Sequence, residues 1–320
     1  MSILRKSVLL LSIVLFTLVG IAQSVEEVGA KYNEGNGLYK EKDYKSAITA
    51  YEAGIKLASD VGADADDLKG KMETQLLNSY YKNGLQYKSI GLSASIASLE
   101  KAYALAGELG DDAMKTKSAT TISKLRSAKG NSFLKKNKLD DAFAEYEMAI
   151  EINPSCVKGY YGEGLVYKTK NDLSNMMASM DKVIEVGADN PKAAKTIKKA
   201  KSTASKTLVN AGAKEIQKEH GKKAAEYINL SFKYAPGNAN AYYYLSLAYN
   251  KTKSWDDAIT AANKAISMET GEKGNIYFVL GQSYEGKGDA AGACSAYKNV
   301  TNGDNVESAK YQMTQVLKCN

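Results

Sequence analysis

Gly130 is followed thirty-four residues later by Gly164, and the landmarks around it keep the same step. Ala142 is answered by Met176, Tyr146 by Met180 and Ala149 by Val183. A second set repeats the step, from Gly212 to Ser246, Ala224 to Ala258 and Ser231 to Ala265. A fixed period of this length means one supersecondary unit stacked on copies of itself, each burying against its neighbours an apolar face that it cannot bury alone. Such an array offers long surfaces rather than an enclosed chemical pocket, which bounds the kind of work the chain does.

The clearest unit runs from about Lys124 to Pro154. Gly130, Phe133 and Leu134 share a stripe of a first helix, and Asn137 and Lys138 make a turn. Ala142, Phe143, Tyr146, Ala149, Ile150 and Ile152 then follow at spacings of three and four, one face of a second helix closed by Pro154. Gly130 and Ala142 fall where the helices cross, and a larger side chain at either would push the axes apart. The same landmarks recur as Gly35, Leu38, Tyr44, Ala47, Tyr51 and Gly54 near the N-terminus. Towards the C-terminus they recur as Gly281, Tyr284, Gly288, Ala293, Tyr297 and Val300, and in the preceding unit as Tyr242, Tyr249, Trp255, Ala258 and Ala265.

This pattern resembles the tetratricopeptide repeat family. The resemblance implies an all-α fold, an α-α superhelix in which antiparallel helix pairs form a right-handed solenoid. About seven repeats are expected within residues 23–304, at 28–61, 72–106, 123–156, 157–190, 205–238, 239–272 and 274–304. In the 72–106 unit Ser95 stands where the packing alanine belongs, so that unit departs furthest from the family. The steps from Gly35 to Gly84, Gly84 to Gly130 and Gly164 to Gly212 exceed thirty-four, which predicts lengthened helices, with Lys192–Asn210 as one extension begun by Pro191. Apolar Val306, Ala309, Met313, Val316 and Leu317 predict a capping helix over 305–320.

Arg5 and Lys6 precede an almost wholly apolar run from Val8 to Ile21, and small residues at Gly20 and Ala22 read as a cleaved signal peptide over 1–22. The apolar run is short of the roughly 20 residues a bilayer span needs, so the mature chain is expected to have no transmembrane span and to be exported, periplasmic or secreted. Arg5 and Lys6 are the only charges in that segment, so cleavage would lower the formal charge of +7 by two. The remaining excess is mild, and no nucleic-acid partner is expected. The three cysteines, Cys156, Cys294 and Cys319, have unrelated spacings; Cys294 and Cys319 either meet, if the chain end folds back on the last repeat, or stand as separate thiols.

Chemistry has little to work with. The single histidine, His220, sits in a turn, which leaves no zinc constellation and no imidazole relay, and neither metal nor cofactor is expected. Asp140 and Asp256 begin second helices, where an anion complements the helix dipole and can accept from free backbone N–H groups. The expectation is a non-enzymatic scaffold or adaptor of the cell envelope. It would bind a protein or peptide along the concave groove that the resemblance implies, lined by Tyr32, Asn36, Tyr39, Asn131, Tyr161, Asn210, Tyr243, Tyr244 and Asn250. The subgroup that holds chaperone C-terminal carboxylates places lysine one turn before such an asparagine. Here Tyr32 and Ser127 stand there, so that activity is not carried over. The alternative is recognition of an acidic envelope polymer or lipid headgroup through Lys192, Lys195, Lys199 and Lys206, which share one side of a helix.

Overall fold

The structure is a computed structural model that describes residues 25–86 and 91–319. The expected signal segment over 1–22 lies outside the described residues. These contain helices and turns and no strand, and contacts divide the chain into two compact units, Met1–Gly162 and Glu163–Asn320. The all-α class, helix pairs of the α-α superhelix type, holds in both.

The first unit contains α1 (residues 25–40), α2 (Tyr44–Val61), α3 (Asp66–Gln86), α4 (Leu92–Glu108), α5 (Asp112–Lys135) and α6 (Leu139–Ile152). α2 packs on α3, α3 on α4, α4 on α5 and α5 on α6. Within each pair a glycine on the first helix meets a large side chain on the second. Tyr51 and Tyr146 are fully buried, and a Cβ added at Gly130 would stand 2.7 Å from Tyr146 Cε1. The Tyr146 hydroxyl donates to Asn131 Oδ1 and the Tyr51 hydroxyl to Asn36 Oδ1, each at 2.8 Å. In the α3–α4 pair Ser95 is wholly buried and donates to the Gly84 carbonyl, a polar substitute for the packing alanine.

α7 (Val157–Thr169) leads from the first unit into the second, which continues with α8 (Leu173–Gly187), α9 (Ala194–Gln217), α10 (Gly221–Ser231) and α11 (Ala239–Lys251). α12 (Trp255–Met268), α13 (Gly274–Lys287), α14 (Ala290–Lys298) and α15 (Val306–Tyr311) complete it. Each of α8 to α14 packs on its successor except where the chain ends, and α11 also touches both α9 and α13. The long inter-glycine steps correspond to long first helices: α3 has 21 residues and α5 and α9 have 24 each.

Six of the described turns inside the helix pairs share one device. Lys42, Asn137, Asn171, Glu219, Lys253 and Gly288 all have φ between 56° and 86°. The amide three positions past the helix end bonds back across the turn, as Lys138 does to the Phe133 carbonyl at 3.0 Å and Ser254 to the Tyr249 carbonyl at 2.9 Å. This left-handed cap satisfies carbonyls that a helix terminus leaves open. Side-chain caps come from Asp43, Asp111, Asp172 and Asp289, whose carboxylates accept from backbone N–H groups. Asp140 and Asp256 lie inside the first turns of α6 and α12, whose capping positions are Lys138 and Ser254. They serve the dipole there rather than as capping residues.

At the C-terminus α15 covers only six residues and passes into a single π turn, Gln312–Val316. Ala309 is buried and Val306, Met313 and Leu317 pack on the Tyr297 cluster, while Val316 stands outward. Cys294 and Cys319 are joined by a disulfide with Cα atoms 5.8 Å apart, so the first of the two alternatives left open by their spacing holds. Cys156 is a free buried thiol.

Candidate functional site

α9 is the most highly charged helix of the second unit, and its origin is local. Asn190 Oδ1 accepts from the Lys192 amide at 3.1 Å, Pro191 opens a short 3-10 turn, and α9 follows without a break. Ala200, Ala204, Leu208 and Gly212 recur every fourth residue and are buried, which fixes which side of the helix faces solvent. Six lysines and one glutamate lie on α9.

One flank of α9, together with residues 234–241, encloses a groove of about 810 Å³. Ile197, Val209, Tyr234, Pro236 and Ala241 give it an apolar lining; Asn210, Asn238 and Asn240 supply amides; Lys198, Lys201 and Lys206 supply cations. No carboxylate lines it. Burial, and after it the Asp181 carboxylate, pushes the Tyr234 phenol up, so this side chain stays neutral. A second hollow, of about 780 Å³, lies towards α7 and α10 and is lined by Lys168, Lys206, Lys214, Lys218 and Lys223 with Glu215. Ser202, Lys206 and Asn210, spaced by four residues along α9, border both spaces.

Glu215 is saturated. Its carboxylate accepts from Lys218 at 2.9 Å, lies 2.8 Å from His220 Nδ1, and has Lys223 at 3.9 Å. The Lys218 hydrogen bond first, and then His220, bring its pKa down to about 2. His220 therefore belongs to a polar cluster around Glu215 at the end of α9. No group of three or more His, Cys, Asp or Glu side chains that could hold a metal occurs among the described residues.

The residues expected to line one groove are distributed over both units. In the first, Tyr32 and Tyr39 are half-buried against the core, and Tyr39 meets the edge of Tyr44 at 5.2 Å. Asn36 and Asn131 receive the core tyrosine hydroxyls, so their carbonyl oxygens are already engaged. Tyr161 is half-buried on α7. In the second unit Asn250 donates to the Val279 carbonyl and accepts from Ser283, tying α11 to α13. Tyr243 and Tyr244 touch each other at 5.5 Å but pack on different clusters. Burial, then Tyr244, raises the Tyr243 phenol, which borders a small hollow of about 170 Å³ with Asn240 and Glu272. Of the nine, Asn210 alone lines the basic groove.

The lysines divide similarly. Lys192, Lys195 and Lys199 are exposed and do not line the groove, whereas Lys206 does. Lys198 and Lys201, absent from the expected face, line it too. A heptad reading of Ala194, Ile197, Lys201, Ser205 and Lys198 would have found that flank. Lys206 also stands one turn before Asn210, the spacing that is missing before Asn36 and Asn131.

Comparison with known proteins agrees with the helix pairs. Residues 130–171 match the family described as TPR repeat, and residues 157–190 and 218–275 each match tetratricopeptide repeat families. The chain thus carries tetratricopeptide repeats, modules of protein interaction in general. No curated protein matches it. A solved tetratricopeptide repeat protein from Parabacteroides merdae is 16% identical over 93% of this chain and 100% of its own, with a TM-score of 0.31. MamA from Desulfovibrio magneticus is 18% identical over 61% and 97%, at 0.38. YrrB, described as a TPR protein with an unusual peptide-binding site, is 17% identical over 68% and 98%, also at 0.38.

Proposed function

We propose that this protein is an exported, non-enzymatic adaptor that holds a protein or peptide segment in the groove beside α9. The groove carries this reading, because it joins an apolar lining to amides and lysines with no carboxylate to repel or compete. Small apolar contacts supply affinity there and the amides orient an extended backbone. Two features support export to the envelope: the basic and then apolar segment over 1–22, and the Cys294–Cys319 disulfide, a bond that persists in oxidising compartments. No described helix is long and apolar enough to cross a membrane.

A photo-crosslinking side chain at Asn240, inside the groove, tests the reading against the same group at Lys192. Adducts with a discrete protein from Asn240 and none from Lys192 are the expected result. Equal labelling from both positions, or none from either, would overturn it. Recovery of the chain in the cytosol rather than the envelope would refute export. A second reading, recognition of an acidic envelope polymer or lipid headgroup, draws on the exposed Lys192, Lys195 and Lys199.

A further inference from the structure

We infer that the segment held in this groove is an extended acidic peptide in which carboxylates alternate with apolar side chains; this rests on the groove reading above. Lys198, Lys201 and Lys206 line the groove, and no ion pair or other partner engages them among the described residues. Lys218 and Lys223, in the adjoining hollow, are by contrast drawn to Glu215. The free cations therefore form a row along α9 that ends where its own carboxylate begins.

Spacing selects the shape of the partner. Lys198 and Lys206 are eight residues apart, about 12 Å along the axis at 1.5 Å per residue. An extended strand places side chains of one face about 7 Å apart, so two carboxylates four residues apart span about 13 Å and match that separation. The alternate side chains of such a strand point the opposite way, away from α9 and towards the apolar wall that Tyr234, Pro236 and Ala241 provide. Lys198, Lys201 and Lys206 are exposed as well, but a flat bilayer leaves the groove's apolar lining empty, and a polyanionic glycan has no use for it. Lys192, Lys195 and Lys199, outside the groove, are the lysines that a lipid or glycan surface would use.

The test uses the full mature chain and a blocked synthetic peptide, acetylated and amidated, of about eight residues alternating glutamate with valine. Titration calorimetry compares it with the glutamine–valine peptide, with a glutamate–serine peptide and with phosphatidylglycerol vesicles. The glutamate–valine peptide is expected to bind, and replacing Lys198, Lys201 and Lys206 together by glutamine is expected to weaken it about tenfold, since each exposed pair contributes modestly. The Lys192→Gln, Lys195→Gln, Lys199→Gln variant should change affinity less than about twofold. Equal binding of the glutamine peptide removes the acidic requirement while leaving the groove reading intact. Binding only to vesicles, equal binding of the glutamate–serine peptide, or equal loss in both lysine variants overturns the inference. If no peptide binds while Asn240 still crosslinks a protein, the acidic class is wrong and the groove is right.

Discussion

Adding one methyl group at Gly130 would place it 2.7 Å from the ring of Tyr146, which is fully buried and is already approached closely by Gly162. Gly130→Ala should therefore cost about 1–3 kcal/mol of stability, the range for overpacking a well-filled core. Tyr146→Phe, which deletes only the bond to Asn131, should cost about 1 kcal/mol. Urea unfolding distinguishes them, and a wild-type midpoint for Gly130→Ala would show that the helices can part freely. Glu215 makes a pH-dependent prediction. Its folded pKa, about 2, lies below the ordinary 4.5, so its contribution is complete above the ordinary value and disappears as the pH falls towards 2. Glu215→Gln should be less stable than wild type at neutral pH and converge with it in acid; a gap that stays constant would assign the effect to packing. The glycine landmarks were legible because a steric demand repeats in register with the chain. The duty of Asn36 and Asn131 was not, because an amide's choice between a ligand and a tyrosine hydroxyl depends on a ring fifteen residues away.

At the scale of the element, the sequence of α9 revealed its proline start, its length and its lysines, but the face they occupy followed only from the packing of α9 against α8, α10 and α11. Lysines at positions 195, 198, 199 and 201 fan across an arc of about 160° at 3.6 residues per turn, wide enough that spacing alone could not separate groove from open surface. The pairing of Cys294 with Cys319 was equally hidden, since it needed the short α15 and its π turn to bring the ends within 5.8 Å. The helix-pair turns were read as turns, yet their shared left-handed residue was not, because lysine or glutamate occupies it at Lys42, Glu219 and Lys253 and asparagine only at Asn137 and Asn171. Lys253, at φ 58°, carries a conformational strain that glycine would relieve. Lys253→Gly should therefore raise the thermal midpoint, by roughly 1 kcal/mol in stability terms; a lowered midpoint would mean that the lysine stem's packing outweighs the backbone gain.

Across the whole molecule, stability is assembled from neighbours. Each unit is held by contacts between consecutive helices, with first helices of adjacent pairs also touching in the second unit. A perturbation at one end should then stay near that end. Replacing Cys294 and Cys319 by serine removes a closed loop of 25 residues, a change of about 3 kcal/mol. Hydrogen exchange should accelerate in α14 and α15 while α2 to α5 keep their protection, and uniform acceleration would show a single cooperative body. The same neighbour-only wiring reaches into kinetics. Gly130 finds Tyr146, and Asn36 finds Tyr51, across stretches so short that the chain loses little entropy in bringing them together. Helix pairs can consequently close independently and zip onto one another, which should place refolding of each unit on the fast, millisecond-or-shorter side of the range for single domains.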